Sequence, residues 1–220
     1  MMNFGGEKLW LIDVPEITDE AFHRAMHARP LLEKSVRIDS LREVECDFLV
    51  ATSDTLSGKE DNFARYSLTP RVFAERFART DAVIAIVFGR EDSGLTLDEV
   101  LECDFQVTIP TSGRYPSMNV SHAAAIIFYE IYIASKKERK KTGLRPATRS
   151  EKERLTEQFN YLVDHIRYPR HKAEKTKMLF RRMIARAAPS KWEYHTLMGV
   201  FKRMREIRNS ADLPGEKNKQ

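Results

Sequence analysis

The sequence predicts an α/β fold with a mainly parallel sheet, followed by a small, basic, all-helical extension. Over the first 135 residues, short runs rich in Val, Ile, Leu and Phe alternate with helical patterns, which is typical of parallel strands joined by right-handed crossovers. Beyond residue 150, apolar residues recur only at helical spacing. Residues 1–135 hold 13 Lys or Arg and 22 Asp or Glu, a net charge of −9, whereas residues 136–220 hold 24 and 10, a net charge of +14.

The first part of the chain contains four predicted strands and four predicted helices. The strands are Lys8–Asp13, Asp47–Thr52, Ala82–Phe88 and Phe105–Ile109. The helices are Asp19–Ala28, Ser40–Val44, Pro70–Arg79 and Val120–Lys140. Thr69 is the predicted N-cap of the third helix, because proline follows at the first helical position. The first half of the fourth helix, Ala123–Phe128, is almost wholly apolar, and we expect it to be buried.

The helical extension follows a predicted linker over residues 142–149, where charged residues give way to Gly143 and Pro146. Ser150 and Glu153 form a capping-box pattern that predicts the start of its first helix. A second helix is predicted over Lys172–Ala187, and a third follows a similar Ser190–Glu193 pattern. The predicted organisation is therefore a main domain over residues 1–141, the linker, the extension over residues 150–210, and a disordered tail over residues 211–220.

Several classes of protein do not fit this sequence. No apolar run approaches the roughly 18 residues of a membrane span, and the N-terminus lacks a signal-peptide layout. Cys46 and Cys103 are too few for a disulfide framework and are predicted to be small core residues, so we expect a cytoplasmic protein. Neither a GxGxxG loop nor a phosphate-loop lysine motif is present. His23 and His27 lack a third ligand, so we predict no metal site.

The basic extension predicts binding to a polyanion, with RNA favoured over the alternative of a well-solvated helical surface. We expect Arg181, Arg182 and Arg186 to contact RNA phosphates. In the first part, three predicted strands end in small or polar residues, and ligands of α/β sheets collect at the carboxyl ends of strands. Gly89 lies at one of these ends and would allow a ligand ring to approach the backbone closely.

Three segments of the first part resemble a known family. VFGREDSGL (residues 87–95), TIP (residues 108–110) and YPSMNVSHAAAIIFYEIY (residues 115–132) resemble the second and third motifs of the SPOUT superfamily of RNA methyltransferases, in its TrmH/TrmJ-like branch. RRMIARAAPSKWEYHTLMGVFKRM (residues 181–204) is similar to the C-terminal extension of TrmJ-like members. The sequence departs from the family at Met118, where leucine is usual, and at His122, where glutamine or alanine is more frequent.

The resemblance implies a trefoil-knot fold, a homodimer, S-adenosylmethionine as cofactor, and methylation of a ribose 2′-hydroxyl in RNA, with tRNA favoured by the extension. Ribosomal RNA as substrate, or an RNA-binding protein with impaired catalysis, are the alternatives. Ser117 and Asn119 would hold the target ribose, and Glu91 with Asn119 would brace the loops and the neighbouring subunit. The implied cofactor residues are Thr52, Ser53, Asp54, Gly89, Ile109, Pro116, Ser117 and Met118.

The first motif of this family, which carries an arginine that acts as base or orienting group, is not found in the sequence. We therefore expect a gene start about 25–35 residues upstream, the length of one strand–loop–helix unit. We also expect Lys8–Asp13 to lack a neighbouring strand, and the chain as given to be unstable or nearly inactive. If it is active, Arg90 or Arg114 is the candidate to replace that arginine.

Overall fold

The computed structural model describes residues 1–54, 67–77, 80–112, 114–136, 145–166 and 168–211. The chain divides into two compact units, Met1–Lys141 and Thr142–Gln220. Part of the predicted linker, residues 142–144, and nearly all of the predicted tail, residues 212–220, lie outside the described residues.

Parallel strands organise the first unit. A two-stranded sheet pairs β1 (Trp10–Ile12) with β2 (Val36–Ile38), so the predicted strand Lys8–Asp13 does have a neighbour and that expectation was wrong. A four-stranded sheet has the order β4-β6-β3-β5, and all of its pairs are parallel. Its strands are β3 (Phe48–Thr52), β4 (Ser67–Leu68), β5 (Ile84–Val87) and β6 (Phe105–Val107). The predicted α/β class with a mainly parallel sheet is confirmed.

Five α-helices belong to the described part of this unit: α1 (Asp19–Ala25), α2 (Arg29–Glu33), α3 (Pro70–Phe77), α4 (Leu97–Glu102) and α5 (Val120–Lys136). The helix predicted over Asp19–Ala28 ends early because Met26 adopts a positive φ of 48°. The predicted helix Ser40–Val44 is a single 3₁₀ turn over Leu41–Glu43. Thr69 caps α3 as predicted, because its Oγ1 accepts from the Val72 amide at 3.3 Å.

The core of the first unit lies on both faces of β3, whose first four residues are buried. On one face, Phe48 packs against Phe77 and Phe105, with ring centroids 5.1 and 5.8 Å away. On the opposite face, a second cluster contains Leu49, Ala51, Val100 and Cys103. Cys103 is 1% exposed, as predicted for a small core residue.

The apolar half of α5 is less buried than expected. Of Ala123–Phe128, only Ile127 is buried, and Ile126 is 37% exposed. Further along, Tyr129 and Ile133 are 51% and 41% exposed. The reason is that α5 packs on α3 with one face and leaves most of the other uncovered within the described residues, although the Phe4 ring contacts Tyr129 there, with centroids 6.1 Å apart.

Three helices form the second unit: α6 (Arg149–His165), α7 (Arg170–Ala187) and α8 (Lys191–Ala211). The rings of Phe159, Phe180 and Phe201 pack together between them, with the first two stacked at 3.9 Å. The all-helical extension is thereby confirmed. No helix within the described ranges combines the length and the apolar content that crossing a bilayer requires.

The two capping predictions for this unit have different outcomes. At α8 the prediction is confirmed, because Ser190 N donates to Glu193 Oε2 at 2.6 Å and Glu193 N donates to Ser190 Oγ at 3.3 Å. At α6 it was wrong by two residues: Thr148 and Glu151 form the box, with bonds of 2.8 and 3.2 Å. Glu153 instead pairs with Arg149 at 3.0 Å.

Candidate active site

A cavity of about 420 Å³ opens at the carboxyl ends of β3, β5 and β6. All eight residues predicted to hold the cofactor line it: Thr52, Ser53, Asp54, Gly89, Ile109, Pro116, Ser117 and Met118. Thr52 ends β3, and Ser53 and Asp54 follow it. Gly89 follows β5, Ile109 follows β6, and the last three precede α5. The Thr52 hydroxyl donates to the Val87 carbonyl at 2.9 Å, which ties the ends of β3 and β5 together at the cavity.

One wall of the cavity is the tight loop of residues 89–95, which closes on itself. Arg90 and Gly94 exchange backbone hydrogen bonds of 3.1 and 3.0 Å, and Gly94 has a φ of 68°. A Cβ at Gly89 would lie 2.2 Å from the Gly94 carbonyl carbon and 2.4 Å from the Leu95 nitrogen. The loop's own backbone therefore requires glycine at position 89, and the expected close approach of a ligand there stays a prediction.

The side chain of Arg90 is fixed to the start of α4. Its Nη1 and Nη2 donate to the two carboxylate oxygens of Glu99, at 3.1 and 3.2 Å. Glu99 also forms a capping box with Thr96, whose amide donates to it at 2.7 Å. The hydrogen bond and charge of Glu99 raise the pKa of the Arg90 guanidinium further above its ordinary value. Arg90 is therefore poorly suited to accept a proton.

A short hydrogen-bond relay joins this loop to α5. Asn119 Nδ2 donates to Glu91 Oε1 at 3.1 Å. Asn119 Oδ1 accepts from the amide and the hydroxyl of Ser121, at 2.9 and 2.6 Å, which caps α5. Glu91 and Ser117 line the cavity, whereas Asn119 is not among the lining residues. Glu91 and Ser117 thus share the cavity, with Asn119 in position to hold Glu91.

Gln106 is a polar lining residue that the sequence reasoning missed. Gln106 lies in the middle of β6, is 2% exposed, and lines the cavity beside Val107. Because a buried polar side chain is costly without partners, an amide within the apolar run Phe105–Ile109 was a usable signal. We read that run only as a strand.

The arginines predicted to contact RNA differ in their accessibility. Arg182 is 5% exposed, so its guanidinium is buried within the helical unit and the expectation that it contacts a phosphate was wrong. Arg181 and Arg186 are only half-buried. Trp192, at the start of α8, is 73% exposed. Among the described residues, no group of three or more His, Cys, Asp or Glu is placed to hold a metal.

Comparisons with known proteins agree with this architecture. The model of the SpoU rRNA Methylase family matches residues 1–129. The tRNA (cytidine-2′-O-)-methyltransferase TrmJ of Methanocaldococcus jannaschii is 42% identical over 209 residues, covering 92% of this chain and 90% of its own. The TrmJ of Sulfolobus acidocaldarius is 26% identical, with coverage of 92% and 83%.

A solved structure supports the fold over nearly the whole chain. The crystal structure of TrmJ from Z. mobilis ZM4 superposes with a TM-score of 0.70 and covers 93% of this chain and 90% of its own, at 21% identity. This likeness concerns the fold, whereas the family model and the 42% identical relative concern ancestry. The chain belongs to the SpoU rRNA methylase family, as its motifs predicted.

Proposed function

We propose that this protein transfers a methyl group from S-adenosylmethionine to a ribose 2′-hydroxyl of tRNA, with cytidine as the first nucleotide to test. The observation that carries the proposal is the 42% identity to a tRNA (cytidine-2′-O-)-methyltransferase over nine-tenths of both chains. The name of the family model makes ribosomal RNA the substrate to compare.

The cavity suits this cofactor in size and in charge. Its volume of about 420 Å³ falls within the roughly 300–1,000 Å³ of small-molecule sites. Ile109 and Met118 offer apolar walls for adenine, and the carboxylate of Asp54 favours a bound cation. When bound, S-adenosylmethionine supplies an electrophilic methyl group on a positively charged sulfur, which becomes a neutral thioether after the transfer.

The residues of the chain would align the ribose and receive its proton. Ser117 is exposed at the cavity wall and can hydrogen-bond the ribose. As the methyl carbon bonds to the 2′-oxygen, the hydroxyl proton would pass to the Glu91 carboxylate, which Asn119 holds at 3.1 Å. The Arg90 guanidinium is ion-paired with the Glu99 carboxylate. Arg114 is exposed between the lining residues Thr111 and Pro116 and remains available to contact RNA.

The test is methyl transfer to an unmodified tRNA transcript and to ribosomal RNA. We expect transfer to the tRNA, and we expect Glu91→Gln to lower kcat by about 10²–10⁴-fold, the usual contribution of general-base catalysis, with cofactor binding unchanged. The matched control is Asp92→Asn, the neighbouring carboxylate of the same cavity. Equal losses of activity in both variants would mean that Glu91 is not the general base. Methyl transfer to ribosomal RNA alone would mean that ribosomal RNA is the substrate. Binding of tRNA without any methyl transfer would favour the alternative of an RNA-binding protein with impaired catalysis.

We also propose that the protein acts as a homodimer through the uncovered face of α5. Ile126, Tyr129 and Ile133 expose large apolar side chains on this helix, and burying them would be favourable. Because α5 begins next to Ser117 and Met118, a partner on this helix would lie near the cavity. Arg181 and Arg186 remain proposed RNA contacts, and the cytoplasmic location remains a prediction.

A further inference from the structure

A stack of planar side chains joins the C-terminal half of α6 to α8. Tyr161 and His165 lie one helical turn apart, and their rings stack with centroids 3.9 Å apart and an interplanar angle of 22°. The guanidinium of Arg205 lies over the ring of Tyr161, 4.5 Å from its centroid. Arg208 Nε donates to the His165 carbonyl at 2.9 Å, which fixes α8 against the end of α6.

The orientation of the imidazole in this stack is determined by its hydrogen bond. His165 Nδ1 lies 2.7 Å from the Tyr161 carbonyl oxygen, which can only accept, so Nδ1 carries a proton. The residue itself is exposed. The stack therefore ends in a pre-oriented planar ring, and little conformational freedom remains to be lost when another ring is added to it.

Arg205, the cation of the stack, differs from Arg203 on the same helix in its ion pairing. Arg203 pairs with Glu206 at 3.2 Å, but no carboxylate within the described ranges lies at ion-pair distance from Arg205, which is exposed. A guanidinium that lies on an aromatic ring keeps its N–H groups at the edge, where they can donate to phosphate oxygens. Tyr161 thus positions a cation whose donors remain open.

We propose that this stack, formed by Tyr161, His165 and Arg205, is a tRNA contact of the helical unit, with an unpaired nucleobase on His165 and a phosphate on Arg205. The proposal rests on tRNA being the substrate. RNA is favoured because the chain from residue 136 onward carries a net charge of +14, and because RNA-binding proteins commonly stack splayed-out bases on His, aromatic and Arg side chains. It places the main contact on α6 and α8 instead of at the buried Arg182 of α7.

The test compares tRNA binding by the full chain and by His165→Ala, Arg205→Ala and Arg205→Lys at several salt concentrations. We expect His165→Ala to weaken binding about tenfold without changing the salt slope, because it removes stacking. Arg205→Ala should weaken binding and reduce the slope by about 0.7–0.9, whereas Arg205→Lys should keep the slope. Arg203→Ala, two residues away on the same helix and already ion-paired, is the matched control and should stay within about twofold.

Two results would overturn the inference. One is binding by His165→Ala and Arg205→Ala at wild-type strength, and the other is an equal loss in Arg203→Ala. Far-ultraviolet circular dichroism of each variant separates loss of contact from loss of fold. Methyl transfer by the wild-type chain is measured in parallel: if the wild type methylates tRNA and the variants bind normally, only this contact is wrong, whereas a wild type that neither binds nor methylates tRNA also removes the proposed function.

Discussion

Glu99 connects the stability of the cavity loop to pH, because one carboxylate both caps α4 and holds Arg90. Partial burial by itself raises the pKa of Glu99, but hydrogen bonds from Arg90 and Thr96 outweigh it and leave the pKa below its ordinary value. The charged form therefore stabilises the folded state above the unfolded pKa of about 4.3, and this contribution is lost as the pH falls through the folded pKa.

We accordingly expect Glu99→Gln to lower the free energy of unfolding at pH 7, with a smaller difference from wild type at pH 3. Urea unfolding at the two pH values measures this. Glu16→Gln, a change at an exposed glutamate, is the control and should have little effect at either pH. A difference between Glu99→Gln and wild type of the same size at both pH values would mean that the charge of Glu99 contributes nothing.

How far individual residues could be predicted depended on the kind of signal they left in the sequence. Most of the residues predicted to hold the cofactor lie at or next to strand ends, which parallel strands bring to one edge, so motif and topology place them in one cavity. Gly89 was singled out for the approach of a ligand. The backbone of Gly94 and Leu95, which lies against it across the loop, could not be inferred from the sequence pattern. The burial of Arg182 depends on how three helices face one another, which periodicity alone does not fix.

At the level of elements, two overlapping capping-box patterns compete for the start of α6, and the structure uses one of them. Thr148 with Glu151 and Ser150 with Glu153 both match the capping-box pattern. The segment before the helix is held extended, because Ala147 N donates to the Pro189 carbonyl at 2.7 Å and Lys191 N donates to the Arg145 carbonyl at 3.0 Å. These bonds come from the α7–α8 junction, so no local pattern could have selected Thr148.

The resulting prediction is that Thr148→Ala destabilises the helical unit by about 1 kcal/mol, the typical cost of losing an N-cap. Ser150→Ala, two residues away and exposed, should stay within about 0.5 kcal/mol of wild type. Chemical unfolding followed by circular dichroism compares the two variants. A larger loss of stability in Ser150→Ala would mean that Ser150 is the N-cap of α6, as the sequence pattern predicted.

Strand prediction depended mainly on length and on apolar content. β3 and β5 were identified because their residues are almost all apolar, as burial on both faces requires. β2 and β4 were missed because they have only three and two residues, and the first contains Arg37. The sequence pattern therefore did not reveal β2, and β1 was expected to lack the neighbouring strand that β2 provides.

For the whole molecule, the uncovered face of α5 predicts the oligomeric state. Ile133→Glu would place a charge on a surface that we expect a second copy to cover, and burying an unpaired charge is costly. Sedimentation velocity should therefore detect a wild-type dimer and a monomeric variant. Val200→Glu, which changes an exposed apolar residue on α8, should leave the dimer intact. A monomeric wild type, or a dimer in both variants, would exclude this face as the interface.

The cavity also constrains the order in which this protein can mature. Its lining begins at Thr52 and ends at Ile127, and β3, the loop after β5, α4, β6 and α5 all contribute to it. Contacts between such distant segments form slowly, because the intervening loops must close first. On a ribosome, no binding site can exist until α5 has emerged and folded back. A ligand that fits the cavity would consequently act on the finished fold, protecting it against unfolding without accelerating its formation.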